Sequence, residues 1–186
     1  MISAAFKTGE NKIHTQNINP SGFLVENTDL LRPGGKVLDI AAGGGRNSVY
    51  LASKGFQVEA VDISKEAVSS ALSLARKKGV NINAHRVNLE EEDFISKDAY
   101  DVIICFRYLQ RSLFSAIKSG LKPGGMVIYE TYITDQAQFG RPVNPDYLLK
   151  HNELLTLFSD FRCLRYHEGI YDNSRAVAGI AAEKKG

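Results

Sequence analysis

The sequence predicts a doubly wound α/β fold with a mostly parallel sheet, closed by a reversed hairpin strand at its C-terminal end. Three observations carry this expectation. Short β-branched runs alternate with longer segments of helical period, as strands joined by crossover helices do. The runs are apolar almost throughout, which strands buried on both faces require. The last stretch then drops the alternation for two strand-like runs joined by a short Gly/Asp/Asn loop.

The elements follow in order. Lys36–Ile40, Gln57–Asp62, Ala84–Asn88, Asp101–Phe106 and Met126–Glu130 are the strand candidates, and Asn47–Lys54, Lys65–Lys78 and Ser112–Lys118 the helices between them. The middle helix has the fullest signals: Ser64 as N-cap, Glu66 at the positive dipole end, and Gly79 after Arg76-Lys77-Lys78 as the C′ residue. Val68, Ala71, Leu72 and Ala75 repeat at the 3.6 period and form its buried stripe. Leu31-Arg-Pro-Gly-Gly-Lys-Val and Leu121-Lys-Pro-Gly-Gly-Met-Val echo each other, each reading as a helix end, a turn and a strand start. Arg162–Glu168 and Ala176–Glu183 are the closing antiparallel pair, expected at one sheet edge.

A chain of 186 residues corresponds to one domain. With 16 glycines and 5 prolines, it is neither collagenous nor of low complexity. Lys and Arg number 23 against 21 Asp and Glu, so the basic excess of a dedicated nucleic-acid binder is missing. An apolar run such as Val102–Phe106 is far short of the ~20 residues of a membrane span. The first 20 residues hold no apolar signal-peptide core. Cys105 and Cys163 form neither a disulfide framework nor a metal spacing, which fits a reducing compartment. The expectation is a soluble, cytoplasmic, single-domain protein without nucleic acid or membrane, monomeric or dimeric.

Gly43-Gly44-Gly45 follows the first strand and opens a helix, where the free N–H groups of a helix start meet a negatively charged group. Asp62 ends the next strand, placed to accept two hydrogen bonds from a ribose diol. Turn and acid together predict a ribose-bearing cofactor. A dinucleotide fingerprint would need a third glycine where Ser48 stands.

The run Val37-Leu-Asp-Ile-Ala-Ala-Gly-Gly-Gly-Arg-Asn-Ser resembles motif I of the class I S-adenosylmethionine-dependent methyltransferases. Asp39 falls on the motif's acid, Ala41 on its first glycine, and Gly43 and Gly45 on the other two. Alanine suits that place only where no positive φ is needed. Val61-Asp62-Ile63-Ser64 resembles motif II, which implies Asp62 on the ribose and Ile63 against the adenine. Val87-Asn88-Leu89 resembles the segment that meets the adenine amine, there with an acid and here with the Asn88 carbonyl as acceptor. Tyr100–Phe106 and Leu121–Glu130 resemble motif IV and the fifth-strand motif, which brings Cys105 and Phe106 to the cofactor. Gly-Gly-Gly-Arg-Asn-Ser-Val-Tyr-Leu-Ala resembles the TehB-like, tellurite-resistance-type branch.

The resemblance implies a Rossmann-like seven-stranded sheet, S-adenosyl-L-methionine as cofactor and S-adenosyl-L-homocysteine as product. It also implies a single methyltransferase domain over 1–186: an N-terminal flap or helix (1–31), a cofactor core (32–130), a substrate loop (131–150), and a helix with the last strands (151–186). The cofactor carries no phosphate, so its carboxylate suits the N–H groups around Gly45–Asn47 with Arg46 as ionic partner. Asp39 either counters the ammonium or braces the turn.

In-line attack on a sulfonium methyl asks chiefly for positioning, and no catalytic base is assigned. The substrate side falls to Arg107, Tyr108 and Arg111 after the fourth strand, and to Glu130, Thr131, Tyr132 and the loop Asp135–Asn144 after the fifth. Arg107, Tyr108, Tyr132 and Arg141 are the candidate acceptor contacts, against the plainer reading of surface arginines and tyrosines packed under a loop. Ser3–Asn19 would form a second flap. His14, His85, His151 and His167 show no ligand spacing, and Glu90–Asp93 reads as a solvated helix start. Three other functions stay open: methylation of RNA or protein, a non-catalytic cofactor-binding module, and an NAD enzyme. Near-zero charge and the absence of an Asn/Asp-Pro-Pro-aromatic string after the fourth strand weigh against nucleic-acid methylation.

Overall fold

The computed structural model describes residues 18–186. A seven-stranded sheet runs through the molecule in the order β3-β2-β1-β4-β5-β7-β6. The strands are β1 Lys36–Ile40, β2 Gln57–Asp62, β3 Asn83–Arg86, β4 Tyr100–Phe106, β5 Leu121–Tyr132, β6 Phe161–Tyr171 and β7 Arg175–Lys184. The first five pair in parallel, while β7 runs antiparallel to both β5 and β6. The doubly wound sheet and its reversed hairpin are therefore as the sequence predicts. Strand order reverses beside β1, so the crevice between β1 and β4 opens at their C-terminal ends, where open α/β sheets bind ligands.

Helices cover both faces. α1 (Gly22–Asn27), α2 (Arg46–Ser53) and α3 (Lys65–Lys78) pack over one apolar cluster with Val37, Val102, Ile104 and Ile128. α4 (Phe114–Gly120) and α5 (Glu153–Leu157) cover the other, with Leu38, Ile103, Val127 and Tyr129. Alternate residues of β4 and β5 divide between the two clusters, the period-two consequence of the pleat.

α3 is capped as expected: Ser64 Oγ accepts from the Ala67 N–H at 3.1 Å, and Gly79 adopts the left-handed conformation after the last turn. Ala71 and Ala75 form its buried stripe, with Val68 and Leu72 half-buried beside them.

Four expectations shift. β3 ends at Arg86, two residues early, and Val87 N–H closes its last rung by donating to the Asp62 carbonyl where β2 itself ends. α4 is displaced to Phe114–Gly120, with a 3-10 turn over Arg111–Leu113 before it. β5 begins at Leu121, which pairs with Tyr100 before the Pro-Gly-Gly segment bulges and pairing resumes at Met126. Glu90–Asp93 starts no helix; Asn88 organises a turn there, its Oδ1 accepting from Glu90 N–H and its carbonyl from the Glu91 and Glu92 N–H groups.

The two Pro-Gly-Gly turns converge on one acid. Asp101 accepts from the Lys36 N–H at 2.8 Å and from Lys122 Nζ at 2.9 Å, and a Cβ on Gly35 would stand 2.9 Å from its own. Among the described residues, no helix is long and apolar enough to cross a membrane.

Candidate functional site

Above the C-terminal ends of β1, β2 and β4 the backbone turns sharply. Gly43 and Gly45 both have positive φ, 56° and 76°. At Gly45 space is equally decisive, since a Cβ would lie 2.6 Å from the Cβ of Ala71 on α3. Only glycine lets the turn close onto that helix. Ala41 also has positive φ, 53°, which corrects the expectation that alanine stands there because no left-handed residue is needed. The Ala42 N–H donates to the Val61 carbonyl and holds the kink despite its cost.

Asp62 is locked by two backbone donors, Gly43 N–H at 2.8 Å on one oxygen and Ser64 N–H at 2.9 Å on the other. One carboxylate thus ties the glycine turn to the start of α3 and keeps its remaining lone pairs facing a cavity. Asp39 is 1% exposed and accepts from Ser48 Oγ at 2.5 Å. Burial pushes its carboxyl up to about 7, and the Ser48 hydrogen bonds and nearby Arg46 only partly oppose this. It therefore braces the turn and also faces the cavity. Burial and the nearby Arg107 guanidinium lower the pKa of Arg46, whose Nη1 donates to the Asn19 carbonyl at 3.1 Å.

Three cavities adjoin here. The first, about 400 Å³, is bounded by Asp39, Ala41–Gly44, Arg46, Asn47, Phe106 and Arg107, with Ser70 and Leu74 of α3 and Ile18 completing it. The second, about 240 Å³, lies between Asp62, Ile63, Asn88, Leu89 and Tyr108. The third, about 640 Å³, sits under the loop after β5 and includes Arg107, Tyr108, Tyr132, Arg141 and Tyr147. Ala41 borders the first and second, Arg107 the first and third, and Tyr108 and Glu90 the second and third. The three adjoin around the end of β4, and together they make up the candidate site's space.

The structure thus gathers Asp39, Ala41, Gly43, Arg46, Asn47, Asp62, Ile63, Asn88, Leu89, Phe106, Arg107, Tyr108, Tyr132 and Arg141 around that space, with Gly45 sealed just beneath its floor. Cys105 is the exception and a correction. It is fully buried, its Sγ 3.8 Å from the Tyr108 carbonyl, and borders none of the three cavities, because the pleat of β4 turns it into the core. Burial raises its thiol far above the ordinary range.

Arg111 does not border the third cavity either. It holds both carboxylate oxygens of Glu153, at 2.7 and 2.9 Å, and the carbonyls of Asp146 and Leu148, clasping the loop from outside. The proposed flap Ser3–Asn19 lies outside the described residues up to position 17, and His14 with it; Ile18 edges the first cavity, and Asn19 accepts from Arg46.

Sequence reasoning missed Ser48, Ser70, Leu74, Tyr147 and Ser21. Ser70 and Leu74 carry a readable signal, an i, i+4 pair flanking the Ala71/Ala75 stripe. Ser21 carries none. Its N–H donates to Asn47 Oδ1 at 2.8 Å and its Oγ to Glu130 at 3.3 Å, while Glu130 lies 3.2 Å from His167. His151 pairs with Asp135 at 2.8 Å, which raises its pKa.

The fold, with its glycine turn tied to the acid that ends β2, has the form of the class I S-adenosylmethionine-dependent methyltransferases. The family profile described as "Tellurite resistance protein TehB" matches residues 10–179, and the chain belongs to that family. Two curated relatives are each named Ubiquinone biosynthesis O-methyltransferase: one from Aeromonas salmonicida, 31% identical over 63% of this chain and 52% of its own length, and one from Cronobacter sakazakii, 34% identical over 66% and 53%. The chain spans about half the length of these relatives. Among solved structures, TehB from Haemophilus influenzae superposes with a TM-score of 0.75 at 23% identity, over 89% of this chain and 62% of that one. Magnesium protoporphyrin IX methyltransferase from Synechocystis superposes with a TM-score of 0.69 at 19% identity, over 88% and 78%. These two share the fold.

Proposed function

We propose that this chain transfers the methyl group of S-adenosylmethionine to a small-molecule acceptor by in-line attack on the sulfonium methyl. The observation that carries the reading is the trio of adjoining cavities: two arms with the chemistry of the cofactor's halves and a third, larger arm that shares Arg107 and Tyr108 with them. The residues fit the cofactor. Asp62, fixed by Gly43 and Ser64, offers its free lone pairs to the ribose hydroxyls. Ile63, 58% exposed, offers its side chain to the adenine. Asn88 Oδ1, already bonded to Glu90 N–H, keeps one lone pair for the adenine amine. Arg46 and the start of α2 suit the carboxylate, and Asp39 the ammonium.

Bound there, the cofactor supplies an electrophilic methyl on a cationic sulfur. The chain's part is to orient both reactants, exclude water and hold the acceptor's nucleophile in line. A third cavity of about 640 Å³ suits a small organic acceptor, and 23 Lys and Arg against 21 Asp and Glu leave no basic surface excess for RNA. The two free cysteines accord with a cytoplasmic setting.

Calorimetry tests the reading. S-adenosylmethionine and S-adenosylhomocysteine bind, NAD does not, and Asp62→Ala weakens binding about a hundredfold, as expected for two hydrogen bonds to a charged acceptor. Binding of NAD alone overturns it. Binding of S-adenosylmethionine without turnover on any acceptor would indicate a non-catalytic module.

A further inference from the structure

We propose that the acceptor is a hydroxylated aromatic acid. Its ring lies among Tyr108, Tyr132 and Tyr147, its carboxylate pairs with Arg141, and its nucleophilic hydroxyl oxygen faces Arg107. The proposal rests on the methyl-transfer reading and names its substrate class.

The third cavity combines two kinds of lining. Tyr108, Tyr132, Tyr147, Leu109, Pro142 and Val143 provide flat and apolar surface, and its volume of about 640 Å³ is that of a pocket for an organic molecule. A bare inorganic oxyanion would leave most of that surface unused. Tyr147 and Val143 are each 58% exposed, so this apolar surface has no cover within the described chain. The Tyr108 ring is fixed by its hydroxyl, which donates to Gln110 Oε1 at 2.6 Å.

Against this lining stand two guanidinium groups with nothing to hold. Arg46, Arg86, Arg111 and Arg165 each donate to a carbonyl or carboxylate. Among the described residues, the Arg107 and Arg141 side chains make no hydrogen bond or ion pair, and both border the third cavity. Unpaired guanidiniums on a mostly apolar wall are anion receptors, and their planar forks suit carboxylates best.

Position separates their roles. Arg107 borders the cofactor cavity as well, so it stands at the reacting end, whereas Arg141 borders the third cavity alone. Arg107 is held there by a left-handed backbone, φ 60°, with its N–H donating to the Glu130 carbonyl at 2.8 Å. Such strain at a non-glycine residue persists where the side chain's placement is needed. Glu90, the acid of the lining, is shared with the adenosine arm and disfavours a second anion there.

The chemistry balances without a protein base. The hydroxyl loses its proton to water before the step, and Arg107 stabilises the resulting oxyanion. The oxygen then attacks the methyl carbon; the O–C bond forms as the C–S bond breaks, and that electron pair returns to sulfur. An oxyanion and a sulfonium become an ether and a thioether.

The test starts from protein saturated with S-adenosylhomocysteine, so failure of the cofactor reading is seen first and separately. Dihydroxybenzoate, hydroxycinnamate and hydroxynaphthoate are then titrated, each against its carboxamide. The acids bind about tenfold or more tightly than the amides, and Arg141→Gln brings each pair to parity. With S-adenosylmethionine, Arg107→Gln lowers kcat on the preferred acid near neutral pH. The loss recovers as pH rises toward about 10, where the phenol ionises unaided. Amides binding as tightly as acids throughout, a preference that survives Arg141→Gln, selenite binding as tightly as the acids, no methylation of any acid bound, or an Arg107→Gln defect that high pH leaves unchanged would each overturn the proposal.

Discussion

At the scale of single residues, the glycine turn makes opposite demands at two positions a few residues apart. Gly45→Ala combines a left-handed φ with a 2.6 Å approach to Ala71, so it is expected to destabilise by about 2–4 kcal/mol and displace α3. Ala41→Gly removes the strain at φ 53° and is expected to lie within about 1 kcal/mol of the parent in urea titration. Asp39 makes stability depend on pH. Its folded value of about 7 lies above the ordinary 3.8, so between these values the folded state holds a proton that the unfolded state has lost. Stability from this residue is present at low pH and falls as pH rises through that window. Asp39→Asn is expected to flatten that slope. Because an ammonium favours the ionised carboxylate, cofactor binding near pH 6 should also release protons, measurable by calorimetry in buffers of different ionisation heat.

At the scale of elements, the clasp of Arg111 on Glu153, Asp146 and Leu148 holds the loop that borders the third cavity. Arg111→Ala is expected to raise the acceptor KM about tenfold while S-adenosylhomocysteine binding stays unchanged, a split that separates this loop from the cofactor arms. Ser64→Ala removes the cap of α3 and is expected to cost about 1 kcal/mol. These elements also show what the sequence made legible. The strand–turn–helix units could be read because their signals are local: apolar runs, the glycine turn, Ser64 and Gly79. The Arg111 clasp could not, since its partner lies 42 residues away and an arginine after a strand reads alike whether it meets substrate or a neighbouring helix. The burial of Cys105 is hidden from the sequence for a related reason. The motif gives the strand end, but the phase of the pleat decides which face the side chain joins, and sequence spacing alone did not settle it.

At the scale of the whole molecule, the antiparallel insertion of β7 between β5 and β6 brings the far edge of the sheet against α1. His167 of β6 lies across Gly179 of β7, where a Cβ would come within 2.2 Å of its ring, and stacks on Phe23 of α1 at 4.4 Å. Gly179→Ala is expected to lower the melting temperature by several degrees, since displacing that ring disturbs α1 and Glu130 together. The contact has a further effect on how occupancy is felt. Three residues after Ile18, which lines the first cavity, Ser21 bonds Asn47 and Glu130, and the Glu130 carboxylate lies 3.2 Å from the His167 ring. Occupying that cavity should therefore slow amide hydrogen exchange not only in the glycine turn but in step along α1 and the β6–β7 hairpin, so that the part of the sheet farthest from the adenosine arm reports, as a single cooperative unit, whether the cofactor is bound.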